Sequence, residues 1–353
     1  MSNLEITEHL LDLLQQPAFS VRDGLVHYAN RLAQTLHISE GDDLEDMLSD
    51  YMDAYQKFQS GCLYLPLKIM GTSQGATVTR KDQLDIFVLD DPNSNEHLRA
   101  LSLAGHQLRT PLTNIISLLD TYFKNSDEDC PTAQIKHNTF QLYRMISNMC
   151  DAATWSEKAI VRETLNITAT FTEIMSKSAA MLTSANIQLK YSCPSRPILT
   201  SANQDMVERA LLNMISNASK FADPDSIIEA ELLQTGNQVR FCVKNRCADV
   251  HQDSLATMFA QYLRKPAMED PRCGIGLGMT LIRTTATSHG GTVLIDQPEP
   301  GTVRVSMTLT LRKPEAPVKL RSPSFRISNY AGGFDLTLLE LSELLADQRY
   351  DEK

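Results

Sequence analysis

Three short segments of the chain carry residue types whose spacing could do chemistry. The first is Gly105-His106-Gln107-Leu108-Arg109-Thr110-Pro111-Leu112. With Gly105 and Leu108 facing inward on a helix, His106 falls on the flank beside solvent. An imidazole there can take a phosphoryl group on nitrogen and pass it on. The second is Asn213-Met214-Ile215-Ser216-Asn217-Ala218-Ser219-Lys220-Phe221. Asn213 and Asn217 share one helix face, and amide oxygens are hard, neutral ligands suited to Mg²⁺ beside a triphosphate. Lys220 can reach a phosphate, and Phe221 can wall a base. The third is Gly274-Ile275-Gly276-Leu277-Gly278-Met279, opening a helix that ends at His289-Gly290-Gly291. Glycines let backbone close on phosphate oxygens, and the helix start adds partial positive charge. Each segment alone is weak evidence: exposed histidines, polar stripes and paired glycines recur without function.

Their order is more telling. The octet around His106 resembles the H-box of HisKA-type histidine kinases, with Pro111 where that box has its kink. The asparagine segment resembles the N-box of the ATPase fold shared by gyrase, histidine kinases and MutL. The glycine segment, with Met258-Phe259 and Tyr262-Leu263-Arg264 upstream, resembles the F-box, mobile ATP lid and G2-box of that fold. The resemblance implies a two-component sensor histidine kinase using ATP and Mg²⁺, with a response-regulator receiver domain as partner. His106 would be the phosphorylated residue and Asn217 the metal ligand. The nucleotide would lie among Asn213, Asn217, Lys220, Phe221, Asn245, Gly274, Gly276, Leu277 and Gly278, under a lid of about residues 251–272.

Two positions depart from the family. Gln107 stands where an acidic general base commonly follows the histidine; an amide cannot accept that proton, and base catalysis is worth about 10²–10⁴-fold. Gln107 can still hold the imidazole tautomer. In the family's DxGxG register Asn245 takes the place of the adenine-binding Asp, and Cys247 and Asp249 the places of glycines. An Asn carbonyl still accepts from the adenine amine, without charge assistance, so weakened ATP binding is expected. Thr110 stands where family phosphatases hold the hydrolytic water, which makes regulator phosphatase activity a further expectation. The rival reading is a pseudokinase, a dimeric signalling scaffold with little ATP turnover. A gyrase-type ATPase is disfavoured, because Asn213 replaces a general-base Glu and the His106 helix would have no task.

The elements that must position these residues follow from periodicity. Residues 1–92 mix helix and strand: PAFSV and LVHYAN flank a turn at Arg22-Asp23-Gly24, and LYLPLKIM and DIFVLD read as strands. Ala18-Phe19…Gly24…Val26…Tyr28-Ala29-Asn30 resembles the opening of PAS sensor domains. Residues 93–158 carry two apolar seams of spacing three and four, Leu98 to Tyr122 and Ile135 to Ala153, joined by the polar NSDEDCP. They predict an antiparallel helical hairpin, with two copies forming a four-helix bundle and hence a homodimer. Residues 159–313 predict an α/β sandwich, with helices 169–184, 204–221 and 276–289 and strands 187–192, 227–233, 238–244, 291–296 and 302–310. Residues 314–353 form an appendage ending in the amphipathic DLTLLELSELLADQ, which could bind a partner or pack back on its own domain. The fold class expected is therefore multidomain α+β.

Bulk composition sets the limits. The 353 residues carry a net charge of -10, which disfavours nonspecific nucleic-acid and anionic-membrane binding. No apolar run approaches the roughly 20 residues of a membrane span, and the acidic start lacks a secretory n-region; a cytoplasmic protein is expected. Seven cysteines without a CxxC pair read as free thiols in a reducing compartment, with redox sensing at Cys242, Cys247 and Cys273 as the lesser alternative.

Overall fold

The computed structural model describes residues 3–81, 84–90, 105, 107–119, 131–157, 160–247, 277–313, 335–342 and 344. His106, Asp249, Gly274, Gly276, the expected lid and the polar link between the hairpin helices lie outside them. An N-terminal unit starts with helix α1 (Asn3–Asp12) and the hairpin β1 (Ala18–Arg22) and β2 (Leu25–Ala29). Asp23 and Gly24 both have positive φ, 53° and 82°, as a two-residue turn matching strand twist requires. Short helices α2 (Arg31–Thr35), α3 (Leu44–Leu48) and α4 (Met52–Lys57) follow, then strands β3 (Cys62–Ile69), β4 (Thr72–Lys81) and β5 (Leu84–Leu89). Their core is a separate cluster around Phe19, Leu48, Leu65 and Phe87, with the Phe19 and Phe87 rings stacked at 4.8 Å.

Two helices come next, α5 (107–119) and α6 (Pro131–Glu157). The α/β unit then comprises β6 (Glu163–Asn166), α7 (Ile167–Thr183), β7 (Gln188–Ser192), β8 (Leu199–Ala202), α8 (Gln204–Phe221), β9 (Ile227–Thr235), β10 (Gln238–Arg246), α9 (Leu277–Ser288), β11 (Val293–Asp296) and β12 (Thr302–Thr310). A last helix, α10, spans Leu336–Leu341. Helices α7 and α8 start where an asparagine can cap them: Asn166 and Asn203 accept the backbone N–H of Ala169 and Met206 at 3.2 and 2.9 Å. Each such cap is worth about 1 kcal/mol. Alternate residues Val239, Phe241 and Val243 of β10 are buried in one core with Phe171 of α7 and Leu211 and Ile215 of α8, the two-residue period of a half-covered strand.

The sheet does not stop at the boundary between units. Ten strands run in the order β2-β1-β5-β4-β3-β11-β12-β10-β9-β7. The junction is antiparallel, pairing Cys62, Leu63 and Tyr64 with Ile295, Leu294 and Val293. Gly61, at φ +92°, lies so close to the Ile295 carbonyl that a Cβ there has no room. Beside the junction, Tyr64 donates to Asp90 at 2.6 Å, and the Arg283 guanidinium of α9 lies 4.6 Å from the Tyr64 ring centre and 3.4 Å from Asp90. Sequence periodicity places the two units apart and contains no sign of this pairing. Edge strands β3 and β11 meet because each otherwise exposes unpaired backbone groups. No described helix is long and apolar enough to cross a membrane.

Candidate nucleotide site and phosphoacceptor helix

Helix α8 spans the residues its pattern predicts and presents a stripe of three polar side chains, Arg209, Asn213 and Ser216, all buried. Asn213 is fully enclosed; its Nδ2 donates to the Arg209 carbonyl at 2.9 Å. Its Oδ1 is buried with no hydrogen-bond donor among the described residues. That oxygen faces the first turn of α9: a Cβ at Gly278 would stand 2.6 Å from it. The asparagine helix and the glycine-opened helix therefore meet on one side of the domain, and Gly278 is small because Asn213 occupies the space. Asn217, Lys220 and Phe221 continue along α8, half-buried, and Leu277 is buried at the start of α9.

Asn245 is the last inward residue of β10, 4% exposed and on the sheet face that α7 and α8 cover. Its amide donates weakly to the Arg246 carbonyl at 3.4 Å. An orphaned amide oxygen, a buried uncharged Asn and a side-chain-free glycine form a donor set that fits a nucleotide with a hard cation. No group of three His, Cys, Asp or Glu among the described residues is placed to hold a metal.

Around the expected phosphoacceptor, Gln107 and Thr110 of α5 are exposed. Gly105 is buried, and a Cβ there would meet Cys150 Sγ of α6 at 2.9 Å. Leu108, expected to face inward with Gly105, is instead 51% exposed. The seam splits into two: Gly105, Ile116 and Leu119 are buried, while Leu108, Ile115 and Leu118 face outward. Helix α6 likewise buries Thr139, Ile146 and Ala153 and exposes Ile135 and Leu142.

Three features escaped sequence reasoning. His289 accepts the Asn203 N–H on Nε2 at 3.0 Å, so Nδ1 carries the proton and donates to the Thr285 carbonyl at 2.7 Å. Burial, with Arg162 and Arg312 nearby, pushes its pKa down to about 4 despite that backbone bond. Arg144 and Arg209 are buried charges that no local pattern marks. Burial also pushes the Cys62 thiol up to about 12 and raises Cys242; both stay protonated and unreactive, against the redox alternative at Cys242.

Residues 202–314 match the family described as histidine kinase-, DNA gyrase B- and HSP90-like ATPase. The sensor protein KdpD of Clostridium acetobutylicum is 26% identical over 209 residues, covering 56% of this chain and 23% of its own. The signal transduction histidine-protein kinase/phosphatase MprB of Mycolicibacterium vanbaalenii is 21% identical over 247 residues, covering 67% of this chain and 50% of its own. This chain thus spans half or less of those two relatives. Full-length ShkA, crystallised with AMPPNP, shares the fold at a TM-score of 0.50 and 17% identity, over 62% of this chain and 47% of that one. Residues 202–314 thus carry an ATPase domain of the histidine kinase-, DNA gyrase B- and HSP90-like family, in which the asparagine helix is seated against the glycine-opened helix, and over 56–67% of its length the chain is similar to sensor histidine kinases.

Proposed function

We propose that this chain is a homodimeric sensor histidine kinase that moves the γ-phosphoryl group of ATP to His106 and then to an aspartate of a response regulator. The observation that carries the reading is Asn213 Oδ1 lying against Gly278 with no donor of its own. In the proposed site Asn213, Asn217 and Lys220 hold the phosphates, Asn217 ligates Mg²⁺, Asn245 accepts from the adenine amine, Phe221 walls the base, and Gly274, Gly276, Leu277 and Gly278 close backbone on the phosphate tail. Mg²⁺, when bound, neutralises charge on the phosphates. Transfer of this kind relies mostly on positioning and electrostatics. The His106 imidazole is the nucleophile, and Gln107 holds its tautomer without accepting a proton. The strand order β2-β1-β5-β4-β3, with three helices inserted after β2, supports a PAS-like sensor in the N-terminal unit. Exposed Leu108, Ile115, Leu118 and Leu142 support a second copy covering the hairpin as a four-helix bundle.

Labelled ATP tests the reading. Acid-labile, alkali-stable label is expected on the wild-type chain and absent from His106→Ala; an unlabelled wild-type that still binds ATP assigns the chain to the pseudokinase reading, which Gln107, Cys247 and Asp249 favour. MprB is named a kinase/phosphatase, and Thr110 is exposed on α5, so regulator dephosphorylation belongs to the proposal. Dephosphorylation that persists undiminished in Thr110→Ala removes that part.

A further inference from the structure

The C-terminal segment has no task in the proposed reaction, yet it is built into the centre of the molecule. Asp335 caps α10 by accepting the Thr337 and Leu338 N–H groups at 2.8 and 3.2 Å. The helix lies against α6, α7 and α8. Leu339 and Leu341 are buried in the main core, which Leu336, Leu338 and Leu344 also join. Of the two readings of this appendage, packing back on its own domain is the one observed.

Glu340 is fully buried within that contact. Its Oε2 accepts from Arg144 Nε of α6 at 2.8 Å, and its Oε1 lies 3.2 Å from Arg209 Nη2 of α8. Arg209 Nε pairs with Asp151 of α6 at 2.9 Å, Asn148 of α6 accepts from Arg209, and Arg144 donates to Ser216 of α8 at 3.0 Å. Among the described residues the cluster holds two guanidinium groups and two carboxylates, and Glu340 is the charged member that comes from neither the hairpin nor the ATPase helix. Among these groups its withdrawal would leave two guanidinium groups facing one carboxylate between α6 and α8, an arrangement buried ion clusters tolerate poorly. An apolar side chain of similar volume would hold α10 in place at least as well. The acid adds dependence on its two partners. The stripe it reaches, Arg209 and Ser216, brackets Asn213, one of the proposed phosphate-binding residues.

We propose that residues 335–344 are a releasable latch. With Glu340 seated between Arg144 and Arg209, the ATPase domain is pinned to its own hairpin. With the segment withdrawn, the two arginines separate α6 from α8, and the ATPase domain is free to approach the phosphoacceptor helix. The last step rests on the kinase reading; the pinning does not.

The test uses the full chain carrying Glu340→Gln, with Glu340→Asp as a milder variant that keeps the charge but is one methylene too short to bridge both arginines. Small-angle scattering reads the pinning, and the initial rate of labelling from ATP reads its consequence. The expected result is a larger radius of gyration in Glu340→Gln with a labelling rate raised about fivefold or more, the lower end of usual coupling between sites, and a smaller change of the same sign in Glu340→Asp. An unchanged radius, or slower labelling in the expanded variant, overturns the latch. Expansion with no label in either the wild-type or the variant upholds the pinning and removes the kinase reading instead. If neither variant folds, the segment is ordinary core and the latch is refuted.

Discussion

Gln107 and His289 show how single side chains set chemistry and stability here. Gln107 is exposed beside the proposed phosphoacceptor and cannot take the imidazole proton. Gln107→Glu supplies that base and is expected to raise the initial labelling rate by about 10²-fold, within the usual range for general-base catalysis. An unchanged rate would mean that proton removal does not limit the step. His289 acts on stability. Its pKa in the fold is about 4, below the roughly 6.5 of an exposed histidine, so between those values the unfolded chain binds the extra proton. Stability from His289 is therefore complete above about pH 6.5 and lost as pH falls toward 4, by up to about 3 kcal/mol. Denaturant midpoints measured from pH 7 to 4.5 are expected to fall in the wild-type chain and to be flatter in His289→Gln. That the asparagine helix and the glycine-opened helix come together, with Asn213 against Gly278, was readable from residue types in order. The role of His289 was not: its partners, Asn203 and Thr285, are fixed by the packing of α9 against the start of α8.

At the scale of elements, local pattern and observed structure agree where one rule acts alone. Helix α8 begins at its Asn203 cap and ends at Phe221, as capping and the apolar stripe of Val207, Leu211 and Ile215 dictate. Helices α7 and α9 and strands β7, β9, β10, β11 and β12 fall within two residues of expectation. Strands β6 and β8 are only four residues each and pair with one another in a separate sheet, too short for alternation to register. Strand β4 was missed because Thr72-Ser73-Gln74-Gly75 reads as loop, yet Gly75 is needed there: a Cβ would collide with the Tyr64 hydroxyl and Asp90. Helix α5 misled for a different reason. A single seam was expected, but the helix has two apolar faces, one packed in the chain and one carrying Leu108, Ile115 and Leu118 outward. In the proposed dimer the helix would need both faces, and a heptad count merges them.

Contacts distant in sequence determine the molecule as a whole, and these were invisible beforehand. The Arg144–Glu340 pair and the β3–β11 pairing each join segments that no periodicity links. Gly61→Ala offers a way to probe the second. The residue has φ +92° and its Cβ would strike the Ile295 carbonyl, so the substitution strains the junction while leaving the clusters around Phe87 and Phe241 intact. Left-handed strain and the collision together are expected to cost about 1–3 kcal/mol. Calorimetry should then show the N-terminal unit melting ahead of the ATPase unit, where the wild-type chain melts the two together; a single shared transition in Gly61→Ala would show that the hairpin and α10, rather than the strands, couple the units.

Three residue pairs make that seam, and a strand register moves only in whole steps. Sliding β3 along β11 by one residue would turn Cys62 and Tyr64 toward the core around Phe87 and bring Leu63 into their place. Graded sliding of the N-terminal unit along this seam is therefore disfavoured: under the proposed sensor role, a stimulus would either leave the seam in register or unzip it, and the ATPase unit would receive one of two states.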